Sequence, residues 1–238
     1  MTTTAHRLQS TPLRPAWIRS PGRLQNTFAN ESFLDEIAAE TGADPLEIRL
    51  KHLADARGKE LLERLARLSK WRERPKPDRN TDIVTGRGLA YVKYELVRTY
   101  VGVVAEVEIN RKTGELAVKR FYVAHDCGQI INPDGMRNQI EGCILQTVSR
   151  TLKEEVTFDR SMVTSLDWAS YPILTFPEIP DVVIDLIDRP EELPWGGGEP
   201  ACAVVPSAIG GAVFEATGVR LRSVPFTPAK VRAALRAV

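Results

Sequence analysis

Cysteine is scarce in this chain. Its three cysteines, Cys127, Cys143 and Cys202, are an odd set with no C-x-x-C pair. That excludes a disulfide framework and a zinc ribbon. An iron–sulfur cluster held by four cysteines of this chain is equally excluded. The three histidines, His6, His52 and His125, lie far apart and form no metal array of the H-E-x-x-H kind. Excess charge of one sign is also missing, since 32 Lys and Arg stand against 31 Asp and Glu, a net charge of +1. Nothing electrostatic therefore points to nucleic acid or an anionic membrane as the main partner. No apolar run approaches the ~20 residues of a membrane-spanning helix, and the first twenty residues lack the apolar core of a secretory leader. A reducing, cytoplasmic setting is the expectation.

What remains is ordinary globular material. Hydrophobic residues make up 43% and charged residues 26% of 238 residues, enough for one large domain or two small ones without disulfide or metal staples. Residues 1 to about 27 read as irregular, punctuated by Pro12, Pro15 and Pro21. A helix is expected from Phe28 or Asn30, with Phe33, Leu34, Ile37 and Ala38 on its inner face and Gly42 as its stop. Asp44-Pro45-Leu46-Glu47 opens a second helix: Asp44 caps, Pro45 fits the first turn, and Glu47 stands at the capping-box position. Leu46, Leu50 and Leu53 form its stripe, and a third amphipathic segment runs from Lys59 to Leu68. The charged, proline-bearing stretch 71–85 reads as a linker or long loop. It divides an N-terminal helical part (1–70) from a C-terminal α+β part (86–238).

In that second part, Leu89–Tyr94, Thr99–Ile109 and Glu115–Ala124 have strand composition, the last two joined by a turn ending at Gly114. Ile140, Ile144, Val148 and Leu152 mark one face of a helix over roughly 134–154. Val182–Ile187 is strand-like, Pro206–Thr217 a helix, and Thr227-Pro228 starts a last one. The fold class expected is α+β, with an antiparallel or mixed sheet and packed helices.

Four places carry residues capable of chemistry. Glu199 follows three glycines and precedes a proline. The glycines allow a planar ligand to approach the backbone, and the carboxylate is either a general base or an exposed loop residue. Gln139-Ile-Glu-Gly142 near a helix start offers an amide and N–H groups to a polar ring or anion, or is simply a polar helix face. His125-Asp126-Cys127 ends a strand, where three neighbours cannot all point one way, so it makes a poor metal site. Gly86-Arg-Gly88 lacks the third glycine and the following helix of a dinucleotide loop.

Taken in order, the segments 18–53 (IRSPGRLQNTFANES onward), 104–142 (ending HDCGQIINPDGMRNQIEG) and 196–218 (GGGEPACAVVPSAIGGAVFEATG) resemble the molybdopterin-binding large subunits of the xanthine dehydrogenase and aldehyde oxidase family. The spelling is nearest to the isoquinoline 1-oxidoreductase beta-subunit and nicotinate dehydrogenase branch. The resemblance covers nearly everything after about residue 10. It implies that Glu199 is the base of a molybdenum-dependent hydroxylation of an N-heterocycle or aldehyde. It also implies that Gln139, Gly197, Gly198 and Arg19 contact the cofactor, molybdopterin cytosine dinucleotide, with no direct metal ligand. Pro21 stands where some members place a substrate-contacting aromatic. The family's Met-Gly-Gln-Gly pterin loop and serine-rich loop have no counterpart here. The chain thus looks like the C-terminal part of a subunit roughly three times this length. Its implied partners are the remainder of that subunit and an iron–sulfur subunit, the whole complex being cytoplasmic or periplasmic. A non-catalytic structural or assembly fragment is the alternative.

Overall fold

The computed structural model describes residues 4, 6, 8–11, 13, 16–96 and 98–237. Pro12 and Pro15 lie outside that set. Its centre is a four-stranded sheet in the order β1 (Ile83–Tyr94), β2 (Thr99–Asn110), β3 (Leu116–Asp126), β4 (Asp181–Leu186). The first three strands form an antiparallel meander, and β4 joins β3 in parallel. The sheet is therefore mixed. The long excursion from β3 to β4, through helix α4 (Pro133–Leu152), supplies the crossover that a parallel pair requires.

Alternation in β2 explains the layering. Val101, Val103, Ala105, Val107 and Ile109 face one side, against α4 and α5 (Val205–Thr217). Tyr100 and Val104 face the other, against α2 (Pro45–His52) and α3 (Ala56–Leu68). Both faces of the sheet are thus covered by helices. Gly86 and Gly88 of β1 find their purpose here: a Cβ at either would collide with the backbone of α5. They are packing glycines that let helix and strand touch.

Where the apolar pattern was regular, it reads true. Ile140, Ile144, Val148 and Leu152 are all buried on α4, and Leu61 and Leu65 on α3. Asp44 caps α2 through the N–H groups of Leu46 and Glu47. Glu47, expected to complete a capping box, pairs instead with Arg72 at 3.0 Å. Segment 71–85 is anchored at both ends. Trp71 is fully buried and its indole N–H donates to Asp44, while Ile83–Thr85 already belongs to β1. The helical stretch Pro200–Thr217, long and apolar enough to cross a membrane by length and composition, corrects the expectation that no such run exists. Most of it is buried against the sheet, as a core helix should be.

Helix α1 (Arg23–Glu40) departs furthest from expectation. It starts five to seven residues early, at Arg23, and its buried positions are Thr27, Glu31, Asp35 and Ala38, while Phe33 is 62% exposed. The inner face is held by charge. Arg49 of α2 reaches Glu31 at 2.9 Å and Asp35 at 2.8 Å, all three side chains buried. Burial pushes both carboxyls above the ordinary range, against the pull of Arg49. Glu31 also accepts the Tyr91 backbone N–H at 2.7 Å, and Glu215 accepts that of Arg87 at 2.5 Å. Both N–H groups sit on the outer edge of β1.

Candidate active site

The Trp195-Gly-Gly-Gly-Glu-Pro200 loop lies over the end of the sheet where β1 turns into β2. Three anchors fix it. The Trp195 N–H donates to the Cys127 carbonyl at 2.9 Å, Thr99 Oγ1 donates to the Gly196 carbonyl at 3.0 Å, and Arg19 Nε donates to the Gly198 carbonyl at 2.5 Å. Glu199 then precedes a 3-10 turn (Pro200–Val204) that runs directly into α5. The carboxylate is half-buried and held on both oxygens. Oε2 accepts the Ser20 backbone N–H at 2.8 Å, and Oε1 accepts the Tyr94 hydroxyl at 2.6 Å. Ser20 presents that N–H from a left-handed backbone, φ 68°, a conformation that costs a non-glycine residue and is kept where its surroundings demand it. Burial, then the bond to Glu199, raises the Tyr94 hydroxyl pKa, so Tyr94 stays a proton donor.

Around Glu199 opens a cleft of about 370 Å³, lined by Tyr94, Arg98, Thr99, Trp195, Gly196 and Gly198. Space is free where side chains would stand on Gly196 and Gly198. Gly197 does not line it: it is turned inward against Met136 and His125, because the loop must alternate to reach its anchors. Arg19 and Gln139 lie outside the cleft lining, bonded to each other. Arg19 Nη2 donates to Gln139 Oε1 at 2.7 Å, and this pair clamps the loop to the start of α4. The exposed Gln139 amide keeps its NH₂ free of partners among the described residues. Thus the structure brings Arg19, Gly198, Glu199 and Gln139 together, and sets Gly197 apart as a packing residue. Sequence reading missed Tyr94, Ser20, Arg98 and Trp195. The only available signals were an aromatic at a strand end and another flanking the glycines.

Beneath the loop, the His125-Asp126-Cys127 run splits between faces as the strand period requires. Asp126 pairs with Arg57 at 2.6 Å and Arg189 at 2.6 Å. His125 is completely buried, and neither ring nitrogen has a hydrogen-bond partner among the described residues. Burial pushes its pKa down to about 4 although the charge of Asp126 pulls the other way. The unfolded chain takes up this proton below about pH 6.5, whereas the folded one refuses it until about pH 4. The stability so gained is present above pH 6.5 and is lost as pH falls toward 4, roughly 2–3 kcal/mol by pH 4.5. His125→Met should remove that slope. Urea unfolding at pH 7 and pH 4.5 checks it, and equal losses in both proteins would dismiss the assignment.

With this geometry in view, the comparisons with known proteins define the class. The family model for the molybdopterin cofactor-binding domain matches residues 34–180. The chain belongs to that family, which binds a molybdenum–pterin cofactor. It is 43% identical to a nicotinate dehydrogenase subunit of Pseudomonas putida over 94% of its own length and 20% of that protein's. It is 33% identical to the beta-subunit of isoquinoline 1-oxidoreductase of Brevundimonas diminuta over 90% of its length and 27% of that protein's. Quinoline 2-oxidoreductase from Pseudomonas putida 86 shares the fold with a TM-score of 0.78 at 15% identity, covering 92% of this chain and 52% of that one. The chain therefore spans about a fifth to a quarter of the two curated relatives, a larger excess than the threefold one expected. The arrangement fits such a cofactor. The floor at Gly196 and Gly198 is open, the Gln139 amide is exposed, and Arg19 fixes their relation.

Proposed function

We propose that this chain contributes the base and one side of the cofactor pocket to the large subunit of a molybdenum hydroxylase acting on an N-heterocycle or aldehyde. The names of the relatives support that substrate range. The observation that carries the reading is the Glu199 carboxylate, held by Ser20 and Tyr94 at the edge of an open cleft. When bound, the cofactor, in our reading molybdopterin cytosine dinucleotide, supplies the two-electron redox chemistry. Glu199 accepts a proton. Each carboxylate oxygen has two lone-pair sites, so one hydrogen bond on each leaves room for that proton. Tyr94 and Ser20 keep the carboxylate from swinging away, which is the positional part of general-base catalysis. Gln139 and Gly198 hold the pterin side, and Arg19 sets the distance between them. In this reading a partner subunit would hold the iron–sulfur clusters that accept the electrons, since this chain has too few cysteines to ligate one.

Cofactor loading tests this directly. Assembled with the remainder of its large subunit in a cofactor-competent host, Gln139→Ala should lower molybdenum content per protein several-fold. The chain purified alone should carry little molybdenum, because one side of a pocket leaves many pterin polar groups unpaired. Full occupancy of the Gln139→Ala assembly would remove that residue from the cofactor site.

A further inference from the structure

We propose that the open edge of β3 pairs with the same edge of a second copy of this chain, residues 115–119 of each running antiparallel about a two-fold axis at Ala117. The surface is independent of the Glu199 cleft, which lies at the other end of the sheet. β4 begins beside Arg120 and follows β3 only from there to His125. Residues 116–119 therefore have β2 on one side and no strand on the other. The register tells which backbone groups are bare. The Asn110 N–H donates to the Glu115 carbonyl at 2.9 Å, and Glu108 stands opposite Ala117, so residues 115 and 117 turn their backbone groups to β2. By the alternation of an antiparallel ladder, the N–H and C=O of Leu116 and Val118 point to the open side. A groove of about 590 Å³ follows this stretch, lined also by Leu152, Leu174, Pro177, Ile179 and Phe226. Bare backbone along a groove is what an added strand requires.

The side chains select a second copy as that strand. Glu115, Ala117 and Lys119 are all exposed, while Leu116 and Val118 pack toward the core. Glu115 accepts a bond from the Thr113 hydroxyl at 3.1 Å, but neither it nor Lys119 joins an ion pair among the described residues. Arg120, the next residue, is already taken by Asp181 at 2.9 Å. In an antiparallel pair centred on Ala117, Leu116 of one copy exchanges both backbone bonds with Val118 of the other, and Glu115 faces Lys119. The two-fold forms each of these pairs twice. Opposite charges at directly facing positions stabilise a sheet, and here they answer two charges that the single chain leaves unanswered. The small Ala117 side chain meets its own copy on the axis, where a long one would stand in the way. Such a contact uses the same patch on both copies, so it closes at two and leaves no open edge to grow from. Phe176, almost wholly exposed, borders the groove beside Pro177 and leaves further apolar surface there.

Sedimentation velocity of the full chain over a range of concentrations should show monomer and dimer in equilibrium, with no larger species. Lys119→Glu and Glu115→Lys each set like charges face to face at two places, and each should weaken the dimer about tenfold or more. Both substitutions in one chain restore the opposite pairs and should return the dimer Kd to within about threefold of the original. That rescue separates a lost contact from a misfolded variant. Ala117→Cys tests the register. Across the axis the two Cα atoms would stand about 4.5 Å apart, as in a facing pair without mutual backbone bonds, and a disulfide spans that distance. Oxidised glutathione should therefore link Ala117→Cys into a covalent dimer. Glu115→Cys, two residues off the axis, should stay unlinked, and the chain's own three cysteines are buried. A chain that stays monomeric, a dimer indifferent to either charge reversal, a loss that the double substitution does not rescue, or cross-linking at position 115 in preference to 117 overturns the proposal.

Discussion

Glu199→Gln should reduce kcat per molybdenum by about 10²–10⁴-fold in the assembled enzyme, with molybdenum content near normal. The amide has almost the same volume as the carboxylate and can still meet the Tyr94 hydroxyl through its carbonyl oxygen. It cannot accept a proton. Its NH₂ would also face the Ser20 N–H, so one of the two bonds that hold the side chain becomes a clash of donors. Cofactor loading depends on other residues in this reading, and is expected to stay. Glu141→Gln is the control, a neighbouring carboxylate outside the cleft lining, and should lose little. If Glu199→Gln keeps more than about a tenth of the kcat, it falls short of the usual effect of removing a base. The chain would then read as a structural part of its subunit.

The second large effect lies away from the cleft. Arg49→Met should destabilise the fold by about 3–5 kcal/mol, because it strands two buried carboxyls without their shared cation. The pH dependence has a definite sign. Burial already raises Glu31 and Asp35, with Arg49 opposing it. Without Arg49 their folded-state values rise further. A raised carboxyl contributes most when protonated, below its unfolded value, and that contribution is lost as pH rises through the folded value. The gap between wild type and variant should therefore widen from pH 5 to pH 8. Urea unfolding at the two pH values measures it. A loss below about 1 kcal/mol, or a gap that shrinks with rising pH, is the contrary result.

That triad also shows where reading the residues in order stops working. The stripes of α3 and α4 could be read because hydrophobic burial repeats with the helix period. Helix α1 turns its apolar Phe33 outward and its acids inward, since a buried arginine on α2 makes the polar face the inner one. Periodicity carries no trace of such pairing. The β2–β3 hairpin could be read from alternation and turn residues, but the parallel addition of β4 depends on a crossover of more than fifty residues. At the site, three glycines before Glu199 marked the loop, the polar helix start Gln139-Ile-Glu-Gly142 marked Gln139, and resemblance marked Arg19. Tyr94 and Ser20 were invisible, being 105 and 179 residues from Glu199 and joined to it only by the fold. The different orientation of Gly197, toward Met136 and His125, could not be read either, because three consecutive glycines look alike until a backbone sets their directions.

The two carboxylates on the outer side of β1 have a bearing on self-association. A twelve-residue edge strand offers a row of bare N–H groups, a template on which another chain can polymerise. Here Glu31 and Glu215 occupy two of those N–H groups, at Tyr91 and Arg87. Each works as a stopper as well as an ion-pair partner, blocking cross-β growth at that border with side chains already needed inside the fold. A strand adding at the β1 border would first have to displace both carboxylates from those N–H groups.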